Sequence, residues 1–316
     1  MLRQVNAARY FNPDEDGFQG AYYPHPKHSQ SVMLYMLGPS VDSFLVKIGV
    51  PWMHELGCSV MALSPEPMRK GFYDLPLERF GAAIRWLKAQ GYTKIGVAGA
   101  SVTGMLALLA AAYYPEDISL TIAISPCDFV MEGYYRDGLD GASERPGDNQ
   151  STVTWQGQPL PYLPFAYRHP DYWQKLQAES HATGNLIASR EMFDLSEQLH
   201  PITDAEAIPV ERIRGTLVLA GAKDDCLWDT CRYIRRMRAR MLAKNAPSRC
   251  QYMLYEHGTH FLFPQSLLVR ALPLGNGLPI CAFRAGRQHI DACKASRVDF
   301  DRRLSREIIR WRGKRP

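Results

Sequence analysis

The chain has no Cys-x-x-Cys pair, no internal repeat, no low-complexity segment and no long apolar run. Each absence excludes something. Seven cysteines are scattered at 58, 127, 226, 231, 250, 281 and 293; an odd, unclustered set signals neither a zinc ribbon nor a disulfide framework. Reduced, mostly structural thiols are the expectation, as in a cytoplasmic protein. The longest near-continuous apolar stretch, Met105 to Tyr114, is too short for a bilayer, which needs about 20 residues. Met1 to Asn6 lacks the apolar core of a signal peptide. A cytoplasmic protein without a membrane span is therefore expected. Formal net charge is only +5, so no nucleic-acid partner is expected, although an anionic substrate would be compatible. No cofactor or metal site is expected either. His25 and His28 flank Pro26, which disfavours a helix and points to a surface loop.

What is present is a chain of 316 residues, 46% hydrophobic and 22% charged. That supports one large α/β domain over residues 1–316 with an ample core. Aromatics around the turn Pro13 to Gly17 predict an N-terminal hairpin. Buried-type strands are predicted at 31–37, 58–63, 94–98, 118–124, 215–220 and 251–255. Between them, helical spacing predicts helices over 41–56 (kinked or split at Pro51), 77–90, 102–114 and 228–243. A closing helix is predicted from Ala295 to Trp311. Strands alternating with helices through short connections imply a mostly parallel sheet with helices on both faces. Sites in such sheets form at the carboxyl ends of the strands.

Residues 127–212 break the rhythm. They are rich in Gly, Pro, Tyr and Trp, with a turn-rich stretch from Asp137 to Gln150 and a helix predicted from Asn185 to Gln198. A stretch this long without the sheet pattern reads as a cap or lid inserted between two strands.

The strand at 94–98 runs into Ala98-Gly99-Ala100-Ser101-Val102-Thr103-Gly104, and an apolar helix leaves it. A sharp small-residue turn carrying one serine between strand and helix is similar to a nucleophile elbow of the α/β-hydrolase fold. Gly99 permits helix and strand to approach. The usual pattern is G-x-S-x-G, and Thr103 stands where its last glycine belongs, with Gly104 one step later. A side chain there is expected to hold the helix slightly farther from the sheet.

A serine hydroxyl needs a base within hydrogen-bond reach, and the base needs an orienting acid. The elbow predicts the chain order Ser, acid, His, with the acid and histidine just past later strands. After the strand at 215–220 stand Asp224 and Asp225. Asp225 is favoured, three before Trp228, with Asp224 as a turn or capping residue; either could be a helix N-terminal carboxylate. After the strand at 251–255 comes Glu256-His257-Gly258-Thr259-His260. The glycine favours His260, with His257 the alternative. The candidate catalytic residues are thus Ser101, Asp225 and His260. Oxyanion donors are expected from the Val102 N–H and from the loop Gly38-Pro39-Ser40; proline has no N–H, leaving Ser40 or Val41. The helix at 228–243 carries Arg232, Arg235, Arg236, Arg238 and Arg240. This reads first as a solvated face and second as an attractor for an anionic, nucleotide-bearing substrate.

With these residues in place, the chain resembles the C-terminal domain family of acyl-CoA thioesterases and bile acid-CoA:amino acid N-acyltransferases. The resemblance is carried by Gly71 to Pro76 with Leu77-Glu78-Arg79-Phe80, the elbow, Trp155 to Pro164 (W-x-G-x-P-L-P), Ile208 to Gly215, Gly221 to Trp228 (D-D-x-x-W), Gly258-Thr259-His260, and Ala292 to Trp311. It covers roughly residues 31 to 312. It implies an α/β-hydrolase that cleaves acyl thioesters through an acyl-enzyme, without a cofactor, and carries Asp225 and His260 over as acid and base. Ser101, rather than the cysteine of the amino-acid transferases, implies water as acceptor. The β-sandwich domain of the longer members is not expected, since about 30 residues precede the first sheet strand. Carboxylesterase or peptidase activity with the same triad is the alternative chemistry. A hydrolase-fold partner protein without turnover is the alternative class.

Overall fold

The computed structural model describes residues 5–27, 29–38, 40–65, 70–139, 144–269 and 281–313. Pro39, His28, Gly275 and Gly277 lie outside the described residues. An eight-stranded sheet forms the centre. Its strands are β1 (Arg9–Phe11), β2 (Gly20–Tyr23), β3 (Ser31–Met36), β4 (Ser59–Leu63), β5 (Lys94–Ala100), β6 (Ile118–Ile124), β7 (Thr216–Ala222) and β8 (Arg249–Tyr255). Their spatial order is β1-β2-β4-β3-β5-β6-β7-β8. β2 runs antiparallel to β1 and β4, and every pairing from β4 to β8 is parallel. This is the α/β-hydrolase fold.

The apolar runs are legible as central strands because both faces are covered. Along β3, Val32, Leu34 and Met36 enter one core, and Met33 and Tyr35 enter the other. The principal helices are α1 (Phe44–Glu55), α2 (Glu78–Ala89), α3 (Val102–Tyr113), α4 (Tyr172–Thr183), α5 (Arg190–Leu199), α6 (Thr230–Ala243) and α7 (Ile290–Arg312). α2, α3 and α6 fill the first core, and α1 and α7 the second. Every residue of α3 from Thr103 to Ala112 is buried, as its all-round apolar sequence predicts. α7 packs Phe300, Leu304 and Ile308.

Several boundaries differ from the sequence reading. α1 starts at Phe44, not Val41, because Ser43 is its N-cap and its hydroxyl accepts the Val46 N–H. Pro51 does not split α1; burial of Ile48, Val50, Trp52 and Met53 holds the helix through it. The N-terminal hairpin forms, but a one-turn helix (Pro13–Asp16) bridges it, capped by Asn12 and closed by Gly17 at φ +77.

Between β6 and β7 the chain leaves the sheet. Residues 132–135 pair with 145–151 and with 71–72, and 153–155 pair with 158–159 and with 75–76. The stretch read as turns at 137–150 therefore contains a strand. The helix expected over 185–198 forms later, as α5 from Arg190, and α4, which the sequence reading did not expect, precedes it. Gly184, at φ +67, ends α4, and residues 187–190 bond to the loop after β7 before α5 begins.

The arginines of α6 divide: Arg235 and Arg238 are exposed, as a solvated face requires, whereas Arg232, Arg236 and Arg240 are neither solvated nor free. Arg232 pairs with Asp194 at 2.6 Å and Glu197 at 2.8 Å. Arg236 grips Asp128 through two hydrogen bonds of 2.6 and 2.7 Å and also bonds Glu197. Arg240 reaches Glu211 at 2.6 Å and Asp204 at 2.8 Å. All five carboxylates belong to the excursion, so these arginines fasten it to the sheet-packed helix. Fork-shaped guanidinium–carboxylate pairing suits such a seam.

Candidate active site

β5 delivers Ser101 to the carboxyl end of the sheet, next to the sheet's centre. Ser101 sits at φ +61, ψ −131 as the residue before α3. That region is unfavourable for a residue with a Cβ and marks a position held by its surroundings. Its N–H donates to the Ile124 carbonyl at the end of β6, 2.8 Å away. Gly99 explains how the turn closes: a Cβ there would lie 2.0 Å from the Thr103 carbonyl oxygen. Gly104 lies against β6, where a Cβ would be 3.2 Å from the Ile124 oxygen.

Thr103 does not hold the helix away from the sheet, contrary to the sequence expectation. The close approach at Gly99 shows α3 pressed against β5. The side chain fits within the contact: its hydroxyl accepts the N–H of Ala100, at the end of β5, at 2.9 Å and also lies 2.8 Å from the Met36 carbonyl of β3.

The acid and the base come from the loops after β7 and β8. His260 Nδ1 lies 2.8 Å from Asp225 Oδ2 and 3.0 Å from Oδ1. Asp225 is 1% and His260 2% exposed, so the contact is shielded from water. The other demands of the buried carboxylate are met by the Leu227 N–H at 2.9 Å and the Thr230 hydroxyl. His260 Nε2 is buried and has no hydrogen-bond partner. Ser101 Oγ therefore does not bond it.

Asp224 does different work. Its carboxylate accepts the Gly258 N–H at 3.1 Å and the Thr259 N–H at 2.8 Å, and lies 3.3 Å from His257 Nδ1. It thus grips the turn that presents His260, in which Thr259 is forced to φ +61. His257, the alternative base, stacks on His289 at 3.9 Å and faces Asp224, not Asp225.

Three more residues fix the histidine, none singled out for this by the sequence. Ser125, at φ +45 after β6, donates its hydroxyl to the His260 carbonyl at 2.8 Å. Trp228 sets its ring edge-on to His260 at 4.8 Å and donates Nε1–H to the Ser125 carbonyl. Arg297 of α7, fully buried, donates to the Phe261 carbonyl at 2.9 Å. Only the Trp of D-D-x-x-W left a sequence trace. Ser125 connects the parts: its neighbour Ile124 holds Ser101, and its own hydroxyl holds His260.

The excursion reaches this assembly. Arg190 donates to the Asp225 carbonyl at 3.0 Å, Ser189 to the Leu227 carbonyl at 2.8 Å, and Phe193 packs edge-on to Trp228 at 5.3 Å. Cys226, beside the acid, is no rival nucleophile: burial, and then the Asp225 charge, push its thiol up to about 12, so it stays protonated at neutral pH.

The Val102 N–H belongs to the first turn of α3, where helix geometry provides no intrahelical acceptor. Ser40 lies in the turn after β3, its carbonyl accepting the Ser43 N–H at 3.1 Å. The Ser43 hydroxyl donates to the Leu37 carbonyl at 2.6 Å, pinning the start of that loop.

Among the described residues, no group of three or more His, Cys, Asp or Glu side chains could hold a metal ion. His25 binds locally instead, its Nε2 lying 2.9 Å from the His54 carbonyl. No described helix is long and apolar enough to cross a membrane.

No curated protein sequence matches the chain significantly. Similar solved structures include an esterase of Pyrococcus furiosus, at 12% identity and TM-score 0.46, covering 99% of this chain and 100% of that one. Another is carboxyl esterase 2 of the mycorrhizal fungus Tuber melanosporum, at 12% identity and TM-score 0.49, covering 98% and 88%. A third is Est1E from Butyrivibrio proteoclasticus, at 11% identity and TM-score 0.41, covering 95% and 100%. The family model described as BAAT / acyl-CoA thioester hydrolase C terminal matches residues 75–267, from the turn before α2 to the segment beyond His260, and the chain belongs to that family.

Proposed function

We propose that the protein is a serine hydrolase that cleaves acyl thioesters of the acyl-CoA type through Ser101, His260 and Asp225. The observation that carries this reading is the buried His260–Asp225 pair, whose Nε2 is left without a partner at the sheet end that also presents Ser101. Family membership supports the thioester.

In this reading Ser101 Oγ attacks the acyl carbonyl while His260 Nε2 takes its proton. Asp225 holds the Nδ1–H tautomer and stabilises the imidazolium. The tetrahedral oxyanion is held by the Val102 N–H and a donor of the Ser40 loop. The C–S bond breaks, the thiol leaves with the Nε2 proton, and the acyl group stays on Ser101. Water then attacks while His260 takes its proton, the bond from the acyl carbon to Ser101 Oγ breaks as Nε2 returns that proton to Oγ, and the carboxylic acid departs. The excursion over 127–212 acts as the cap that shapes the acyl pocket, seated on the acid-bearing loop through Ser189, Arg190 and Phe193.

The test is labelling with a serine-directed fluorophosphonate, followed by turnover of acyl-CoAs against p-nitrophenyl esters of the same acyl groups. Ser101→Ala is expected to abolish labelling and hydrolysis; undiminished labelling removes Ser101 as nucleophile. Faster ester than thioester turnover at every chain length makes the protein a carboxylesterase and ends the acyl-CoA reading.

Asp224 supplies a separate expectation. Asp224→Ala strips acceptors from the Gly258 and Thr259 N–H groups and lets the histidine turn drift. It should lower kcat by about tenfold, since small misplacements of a catalytic group are expensive. Asp224→Asn retains one acceptor oxygen and should stay within about threefold. Equal loss in both variants would mean that the Asp224 charge, not its grip on the turn, is what matters.

A further inference from the structure

Thr103 departs from the glycine expected at its position, and its contacts are unusual for a threonine in the first turn of a helix. A threonine hydroxyl there ordinarily bonds groups three or four residues away. Thr103 does this: it accepts the Ala100 N–H at 2.9 Å and lies 2.8 Å from the Ala100 carbonyl. It also reaches the Met36 carbonyl at 2.8 Å, 67 residues away in sequence. Helix capping does not account for that third contact.

The place of the contact gives it meaning. Met36 and Gly99 are the last paired residues of β3 and β5. Beyond them β3 enters the loop through Leu37 and Gly38 to Ser40, and β5 enters the elbow. The hydroxyl therefore joins the two strands at the point where they part. The two backbone stretches that leave this point carry the candidate oxyanion donors: the Val102 N–H and the donors of the loop after β3. An oxyanion hole works only when both donors lie about 2.7–3.1 Å from one oxygen. The separation of the two strand ends sets that spacing. The other end of the loop is pinned by the Ser43 hydroxyl on the Leu37 carbonyl. Thr103 is buried, and β-branching restricts its rotamer.

We propose that Thr103 is a positioning residue: its hydroxyl ties the elbow to the end of β3 and so fixes the spacing of the two oxyanion donors. This rests on the reading of Ser101 as nucleophile. A glycine at this position could not make the tie, and the structure assigns the function to the side chain that replaces it.

The experiment uses the full chain, p-nitrophenyl butyrate as substrate and an alkyl trifluoromethyl ketone as a probe whose adduct places an oxyanion in the hole. Thr103→Val keeps the shape and removes the hydroxyl; Thr103→Ser keeps the hydroxyl. Thr103→Val is expected to lower kcat about 10- to 100-fold, with KM within about twofold, and to weaken the ketone by a similar factor. Thr103→Ser should retain kcat within about threefold. Retained kcat in Thr103→Val overturns the proposal, as does an equal fall in Val and Ser or a change confined to KM. If Thr103→Val does not melt cooperatively, Thr103→Ala is judged by the same criteria. Ser101→Ala runs alongside: full hydrolysis by that variant ends the nucleophile reading, whereas its inactivity with an unaltered Thr103→Val ends only this proposal.

Discussion

Asp225→Asn is expected to lower kcat by about 10³- to 10⁴-fold while the protein stays folded. Asp225 receives the Leu227 N–H on Oδ1 and the Thr230 hydroxyl on Oδ2, and both oxygens contact His260 Nδ1. An asparagine can keep its oxygen toward Leu227. Its NH₂ group then faces Nδ1 and the Thr230 hydroxyl. The amide donates to Nδ1, which must become an acceptor, and the imidazole proton moves to Nε2. A protonated Nε2 cannot take the serine proton. The site would be intact in outline and wrong in tautomer, which is the reason for the size of the expected loss. The check is kcat for p-nitrophenyl butyrate together with the unfolding midpoint. A loss of less than tenfold, or a collapse of the midpoint, would show that Asp225 does not act through the histidine tautomer. Removing a carboxylate in close contact with the ring also removes stabilisation of the imidazolium, so kcat and fluorophosphonate labelling should fall together.

The sheet and the site residues were legible in the sequence for a common reason. β3, β5, β6 and β7 are buried on both faces, so each reads as a short apolar run ended by small or polar residues. The candidate chemistry sits at those ends. Ser101 and Asp225 each follow such a run within a few residues, His260 follows the edge strand β8, and chain order aligns the three. Which aspartate lies against His260 was also readable, from the spacing to Trp228. What Asp224 does was not. Its partners are the N–H groups of Gly258 and Thr259, 34 and 35 residues away, and backbone donors leave no mark in a sequence.

The excursion was legible as an interruption but not as a structure. Arg145 to Ser151 forms a strand although it contains Pro, Gly, Asp and Asn. Its strand character comes from pairing with 132–135, not from propensity, which is the ordinary weakness of strand reading. Arg235 and Arg238 of α6 are exposed as expected, but three of its arginines, Arg232, Arg236 and Arg240, were misread for a similar reason. Periodicity showed which face they share, but their carboxylate partners lie 29 to 108 residues away. Only tertiary structure shows that the charges of these three are already matched. Thr103 belongs with them: a departure from a pattern, read from sequence as steric, turned out to be a hydrogen bond to another strand.

Gly99→Ala should damage both the fold and the chemistry, in contrast to Asp225→Asn. The added Cβ would lie 2.0 Å from the Thr103 oxygen, 2.4 Å from the Thr103 carbonyl carbon and 2.9 Å from the Gly104 nitrogen. All three are backbone atoms at the start of α3, so no side chain can rotate away. Relief requires α3 to lift from β5, and α3 is the most completely buried helix of the first core, with ten successive residues from Thr103 to Ala112 enclosed. Overpacking of this kind costs on the order of 3 kcal/mol, which lowers the unfolding midpoint by roughly 6 °C in a chain of this size. Lifting α3 also moves the Val102 N–H, loosens the backbone that holds Ser101 at φ +61, and shifts the Thr103 hydroxyl from Met36. Fluorophosphonate labelling should therefore slow by about 100-fold or more. The measurement is the midpoint and the labelling rate on the same preparation. An unchanged midpoint would mean that the helix does not press on Gly99 as closely as the elbow geometry requires. A lowered midpoint with unchanged labelling would mean that Ser101 keeps its placement without support from the start of α3, and the strained conformation would then have to be held from the β6 side, by the Ser101 N–H on the Ile124 carbonyl.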